Sequence, residues 1–341
     1  MTIGIGRREL ISALGAIAAW PITARAQTRN PRRIDVHHHI LPPHYLAAAR
    51  EHLLGVAVGY EQALQWTPEA SLAEMDKYGV ATAVTSNPSP WTWFAPDEAR
   101  HLVRDSNEYA AQLRRDHPGR FGMFASLPMP DIDGSLAEID YAFGSLTTDG
   151  ICLTTSYGDK WPGHPSFEPV FAELNRRKAV VFVHPASPNC CRGLVSGVPD
   201  PTVEFMFDVT RCITSLLFSG TFSRLPDIRF IFTHAGGAVA QLGERIIRNA
   251  AIQKGVAQRV PRGGLYELQK LHYDITTSTS RSTLSALKEL VPMRQIVFGS
   301  DYPYLPVALT VEGLERFGFA TADLDAIDRG NAAALLPRFA S

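Results

Sequence analysis

Asp35-Val36-His37-His38-His39 is the stretch on which the reading of this chain turns. If it is a strand, side chains alternate, and Asp35, His37 and His39 share one face. Two imidazoles two residues apart at a strand end can reach one metal ion, and neutral imidazole suits zinc and its neighbours. The competing reading is a surface histidine cluster or a purification-tag remnant. Partners at the ends of later strands favour the metal reading.

Outward from this strand, β-branched or apolar runs alternate with turn residues and helical patterns. Further strands are expected at 81–86, 121–126, 150–155, 180–184, 228–233, 271–276 and 296–300. Helices are expected near 44–53, 68–78, 97–115, 135–143, 166–177, 203–222, 237–252, 282–290 and 322–329. The segment from His44 to Trp66 reads as a small insertion after strand one. Eight βα units predict a parallel sheet closed into a (β/α)8 TIM barrel. An open doubly wound sheet is the runner-up, but no strand leads into a glycine-rich dinucleotide fingerprint.

The chain has 341 residues, 45% hydrophobic and 20% charged, with a formal net charge of −1. That is ordinary globular composition, and it gives no reason to expect nucleic acid or an anionic membrane as a partner. Residues 1–26 read as an export signal. Arg7-Arg8 precede the apolar run Ile11 to Trp20, and Ala24-Arg25-Ala26 offers a small-x-small cleavage site. The arginine pair resembles the twin-arginine type. The expectation is therefore a periplasmic protein with no membrane span after cleavage, and a single barrel domain over 27–341. The run is too short for a permanent transmembrane helix.

Barrel active sites lie at the C-terminal ends of strands. There the chain places His37 and His39 (strand one), His184 (strand five), His234 (strand six) and Asp301 (strand eight). Each alone has a dull explanation, such as a hydrogen-bonded histidine or a capping aspartate. Their recurrence at the ends of four strands does not.

Asp-Val-His-His-His-Ile-Leu-Pro (35–42), Val-His-Pro (183–185), Thr-His-Ala-Gly-Gly (233–237) and Gly-Ser-Asp-Tyr-Pro (299–303) resemble, in order and spacing, motifs of the metal-dependent amidohydrolase superfamily. Leu217–Phe222 before Pro226-Asp227-Ile228, and Gly330-Asn331-Ala332, add to the likeness. The branch resembled holds aminocarboxymuconate semialdehyde decarboxylase, 6-methylsalicylate decarboxylase and related non-oxidative decarboxylases. The resemblance implies that His37, His39, His184 and Asp301 are metal ligands and that His234 is an unligated catalytic histidine. Zinc is the first choice for this nitrogen-rich set, and manganese is the alternative. Binuclear members carry a bridging lysine at the end of strand four. Here Gly150-Ile151-Cys152-Leu153-Thr154-Thr155 has none, so one ion is expected.

The implied reaction is decarboxylation of an aromatic or unsaturated carboxylic acid. Hydrolysis of a lactone or amide on the same scaffold is the alternative, and a non-catalytic metal binder is a third reading. In the decarboxylase reading, His234 manages the proton of a bound water or an ortho hydroxyl. Asp301, or water it holds, delivers a proton to carbon. Arg245, eleven residues after His234, is implied as a substrate anchor reaching a neighbouring subunit, which would require at least a dimer.

Trp91, Trp93, Met129 and Tyr157 lie in loops on the presumed active face, either to stack an aromatic substrate or to anchor the loops. Asn189-Cys190-Cys191 follows His184 closely enough to border the pocket. Adjacent cysteines rarely bond to each other, and a long-range bridge is left open. Cys152 and Cys212 read as small core residues. Asp35 reads as an outer partner of a ligand histidine or as part of a buried polar network.

Overall fold

The computed structural model describes residues 32–56 and 61–340. The expected export segment, 1–26, lies outside them. Eight strands follow one another: β1 (Arg33–His39), β2 (Val80–Ser86), β3 (Phe121–Ser126), β4 (Gly150–Thr154), β5 (Val180–His184), β6 (Arg229–Phe232), β7 (His272–Asp274) and β8 (Ile296–Val297). Each pairs in parallel with the next, so spatial order equals chain order. β8 returns to β1 through Val36 N–H to Phe298 O (3.1 Å) and Asp301 N–H to His37 O (2.7 Å). The architecture is the expected (β/α)8 barrel.

Helices fill the crossovers. α1 (Pro43–Val56) and α2 (Pro68–Tyr78) follow β1, α3 (Pro96–Asp116) follows β2, α4 (Ile132–Gly144) follows β3 and α5 (Glu168–Arg176) follows β4. α2 starts where the sequence signals it. Thr67 caps it by accepting from Ala70 N–H, and Pro68 opens its first turn. α6 (Asp200–Ser219) and the one-turn α7 (Thr221–Arg224) follow β5. The sequence reads 203–222 as one helix. Gly220, at φ 77°, takes the left-handed conformation and ends α6 early. α8 (Val239–Ile252), α9 (Lys254–Arg259) and α10 (Gly264–Leu268) follow β6, α11 (Arg281–Leu290) follows β7, and α12 (Ala308–Phe317) follows β8. α12 was not legible, because β-branched Thr310 and Val311 blur its period.

Two packed regions hold the barrel. Val36, Phe124, Phe182 and Val297 fill its inside with Leu335 and Phe339 of the C-terminal segment. Those two plug the end from which the strands start. A larger apolar layer joins the outside of the sheet to the helices. With the lower end plugged, the open mouth is the C-terminal end of the strands.

β7 and β8 are shorter than their apolar runs imply. Beyond β7, Thr276 N–H donates to the Asp274 carboxylate (3.0 Å) instead of a neighbouring strand. Beyond β8, Asp301 N–H turns to His37 O. Both departures lie at the mouth, where side-chain chemistry displaces ladder pairing.

Candidate metal centre

A bulge in β1 arranges the histidines. Asp35 pairs with Ala83 and His38 with Thr85, so three steps on β1 oppose two on β2. The extra residue changes which side chains point inward. Ile34 and Val36 pack inside the barrel, and the His37 ring joins them against Phe182 at 5.1 Å. Asp35 and His38 turn outward together: His38 Nδ1 meets Asp35 Oδ2 (3.1 Å), and His38 Nε2 meets Ser71 Oγ on α2 (2.9 Å). This corrects strict alternation, which puts Asp35 on the ligand face. Asp35 belongs to a buried network in which its carboxylate also accepts from His37 N–H (3.1 Å) and Ser300 N–H (3.0 Å). It holds β1 against the loop bearing Asp301 and touches no proposed ligand ring.

His37, His39, His184 and Asp301 converge, each offering one donor atom within 4.8 Å of the others. The Nε2 atoms of His37 and His39 are 3.0 Å apart, and Asp301 Oδ1 lies 3.2 Å and 2.9 Å from them. Each ring is held by its other nitrogen. His37 Nδ1 meets Asp274 Oδ2 (3.0 Å), His39 Nδ1 meets Ser86 Oγ (3.1 Å) and His184 Nδ1 meets Pro185 O (2.9 Å). These partners favour the Nδ1–H tautomer and leave each Nε2 with a free lone pair. Three such nitrogens and one carboxylate oxygen around a common point suit a divalent transition-metal ion.

Burial opposes charge on His37, but the Asp274 and Asp301 carboxylates outweigh it and lift the ring to about 10. Burial and neighbouring histidines hold His39 below its ordinary value and His184 well below. Burial would raise Asp301, yet His37 and the two ring hydrogen bonds hold it well below the usual carboxylate range. The Asp274 and Asp301 carboxylates thus make the cluster a place that favours positive charge, as a cation supplies.

His234 stands beside the four. Its Nδ1 meets Thr277 Oγ1 (3.1 Å) and the Thr276 carbonyl (3.3 Å), while its Nε2 is buried with no hydrogen-bond partner among the described residues. Burial pushes the ring down, so it rests neutral. The Thr-His-Ala-Gly-Gly turn has a local cause: residues 234–237 all take positive φ, at 52°, 57°, 74° and 66°. His234, Ala235, Thr277 (53°) and Asp301 (66°) are non-glycine residues in this sparsely populated region. Each costs on the order of 1–3 kcal/mol. Such strain gathers where geometry outranks backbone comfort.

The cluster opens into a cavity of about 170 Å³ whose wall includes His184, His234 and Asp301. An apolar cavity of about 150 Å³ holds one benzene ring, so a single aromatic ring fits here. Trp93, Phe205, Met206 and Tyr304 form much of the rest, and α1 contributes Tyr45 and Leu53.

Not every expected contact is in that wall. Trp93 lines the cavity; Trp91 is buried behind it, its ring 5.5 Å from Tyr45. Tyr157 packs on Phe167 at 5.5 Å, its hydroxyl accepting from Thr154 N–H (3.0 Å). Met129 is buried in the core, and Asn189 is exposed outside the lining. Arg245 is exposed on α8, away from the cavity of its own chain. Arg192 instead brings a cation to the wall. Among the described residues, which include all four cysteines, there is no long-range disulfide: each thiol is free, and the Cys190 and Cys191 sulfurs are 2.7 Å apart. Asp274 belongs to none of the sequence motifs, and its one signal is a carboxylate interrupting the apolar run 271–276.

Residues 34–338 match the family model described as amidohydrolase. The decarboxylase macB of Penicillium terrestre is 35% identical over 325 residues, covering 90% of this chain and 95% of that protein. The 6-methylsalicylic acid decarboxylase of Penicillium expansum is 32% identical over 318 residues, covering 90% and 96%. Among solved structures, a dihydroxybenzoic acid decarboxylase from Polaromonas sp. JS666, with bound manganese and an inhibitor, aligns at TM-score 0.79 and 20% identity, covering 91% of this chain and 97% of that one. At that identity the likeness speaks for the fold. The match over nearly the whole described barrel, together with these relatives, makes the chain a member of the amidohydrolase family.

Proposed function

We propose that this protein is a metal-dependent, non-oxidative decarboxylase of a single-ring aromatic carboxylic acid with an ortho oxygen. The observation that carries this reading is His234 Nε2: buried, without a partner among the described residues, and in the wall of a ring-sized cavity beside the four donors. The relatives named as decarboxylases, one of them for 6-methylsalicylic acid, support the same choice.

His37, His39, His184 and Asp301 would hold a divalent ion, which would supply Lewis-acid charge for the acid. The residues do the rest. Trp93, Tyr304 and Phe205 clasp the ring and exclude water. His234 Nε2 accepts the ortho hydroxyl proton. Asp301 is ionised at rest, so it takes up a proton from the acid or from water and then passes it to the ring carbon bearing the carboxylate. The C–C bond breaks, its electrons restore the aromatic ring, CO2 leaves, and His234 returns its proton to the ortho oxygen.

One ion per chain is proposed, since β4 offers no lysine. Zinc suits the nitrogen-rich set, and the manganese of the Polaromonas enzyme makes it the comparison to run. We also propose residues 1–26 as a cleaved export signal ahead of one domain over 27–341, and Arg245 as a contribution to a neighbouring subunit's site. Cell fractionation tests the first. Mixing Arg245→Ala chains with chains defective at His234 tests the second.

The deciding experiment incubates metal-loaded protein with a panel of hydroxybenzoates and, separately, lactones and amides. CO2 release from the acids is the expected result. Hydrolysis without CO2 release would replace this reading with the hydrolase one.

A further inference from the structure

Ser187 and Arg192 both line the cavity. Between them, Asn189–Cys191 makes a single 3₁₀ turn. It carries two adjacent cysteines whose Sγ atoms are 2.7 Å apart. That is inside the van der Waals contact of two sulfurs, and longer than the ~2.05 Å of a bond. Cys190 is exposed and Cys191 buried, both as free thiols. Cys152 and Cys212 are buried as well, and burial pushes both thiols up, which makes them poor nucleophiles.

We propose that Cys190 and Cys191 are a modification site that closes to a reversible vicinal disulfide, with a low-molecular-weight disulfide such as glutathione disulfide as co-reactant, and that closure weakens acid binding through Arg192. The binding consequence rests on the reading of the cavity as an acid site; the thiol chemistry does not.

The exchange balances. Cys190, the exposed sulfur, attacks as thiolate and forms a mixed disulfide, releasing one glutathione thiolate that takes up a proton. Cys191 then attacks the Cys190 sulfur and releases the second glutathione. Two protein thiols are oxidised and one glutathione disulfide is reduced to two thiols. The two thiols differ in a way that suits this order. Its hydrogen bond with Cys190 pushes the Cys191 thiol up to about 11, while the Arg211 charge pulls the other way. Capping Cys190 removes the largest opposing contribution; burial and Glu204 still oppose the Cys191 thiolate, and Arg211 favours it.

The bond is labile for a geometric reason. Consecutive Cα atoms across a trans peptide are about 3.8 Å apart, short of the ~4.4–6.8 Å that disulfides prefer. Strained, exposed disulfides reduce readily and serve as switches. Closing an eight-membered ring also twists the turn. Arg192 comes directly after Cys191, and its Nε donates to Ser187 O at 3.2 Å. Among the described residues, Arg192 is the one lysine or arginine in the cavity wall. A turn that moves it withdraws a charge-assisted contact from an incoming carboxylate.

The test treats full-length, metal-loaded protein with glutathione disulfide and follows intact mass and salicylate affinity by calorimetry. Expected are a mass loss of two hydrogens with no glutathione retained, reversal by dithiothreitol, and a salicylate Kd raised roughly tenfold, one charge-assisted contact. Cys191→Ser is expected to keep one glutathione on Cys190, with no ring closed. Unreacted thiols, glutathione retained on wild-type protein, or a disulfide that leaves Kd unchanged would each overturn the proposal. Failure of the decarboxylase reading shows separately, as no CO2 release from the reduced protein.

Discussion

His37 Nδ1 and Asp274 Oδ2 meet at 3.0 Å with neither side chain exposed to solvent. The other oxygen of Asp274 accepts from His234 N–H (3.1 Å) and Thr276 N–H (3.0 Å). One carboxylate therefore orients a proposed ligand ring and anchors the backbone of the proposed base. Replacing it with an amide leaves His37 Nδ1 facing a group that can donate, which favours the wrong tautomer. The prediction for Asp274→Asn is metal affinity weakened by about 10–100-fold. A metal titration that gives wild-type affinity would show that this carboxylate does not hold the ligand.

His234 has a different expected signature. His234→Gln should lower kcat by about 10²–10⁴-fold, the usual share of a general base, while metal content stays at the wild-type level. Metal analysis beside steady-state kinetics checks both halves. Loss of metal together with activity would make His234 a ligand and remove its assigned role.

Chelation is expected to abolish CO2 release and to leave a folded protein, because the barrel core does not depend on the ion. Adding metal back at about 100 times its Kd should raise stability by roughly 2.7 kcal/mol, seen as a higher Tm. Restoration by zinc and manganese in parallel identifies the preferred ion. Full activity after exhaustive chelation would end the metal reading.

Gly237 closes the left-handed turn after His234 at φ 66°, and a Cβ there would sit 2.0 Å from the Met206 carbonyl oxygen. Gly237→Ala thus adds strain to overlap against a backbone atom. We expect a loss of about 2 kcal/mol or more in urea unfolding, with a lower kcat because the same turn carries His234. Unchanged stability would mean that the turn relaxes freely.

His272, at the start of β7, gives a pH dependence distant from catalysis. Burial, with the charges of Arg229 and Arg294, pushes it down to about 4. Its ring is neutral in both states above its ordinary value of about 6.5. Below that, the unfolded chain binds the proton first, so stability falls as pH drops from about 6.5 towards 4. The full loss is about 3 kcal/mol. Urea midpoints between pH 7 and 4.5 should fall less steeply for His272→Gln than for wild type; parallel curves would rule the effect out.

Local signals in this chain were legible where local physics decides. Thr67-Pro68 begins a helix because a cap and a preset φ act within one turn. The βα alternation gives a barrel because each strand must bury two faces. Side-chain direction near the mouth was not legible. Strict alternation places Asp35 beside His37, but pairing with β2 inserts a bulge and turns it to His38. Trp91 and Trp93 look equivalent in sequence, yet one packs on Tyr45 and the other meets the cavity, because α1 occupies the space behind the first.

By itself the sequence determined the fold class, the family motifs and the five residues at the mouth, His37, His39, His184, His234 and Asp301. All of these rest on period, spacing and residue type along the chain. Only the tertiary structure decided that Asp274 braces both His37 and the His234 turn, that Arg192 and not Arg245 lines this chain's cavity, and that Cys190 and Cys191 lie against each other at its rim. Those relationships join atoms from strands and loops far apart in the chain. Inter-strand register and packing set them, and neither is written in any single segment.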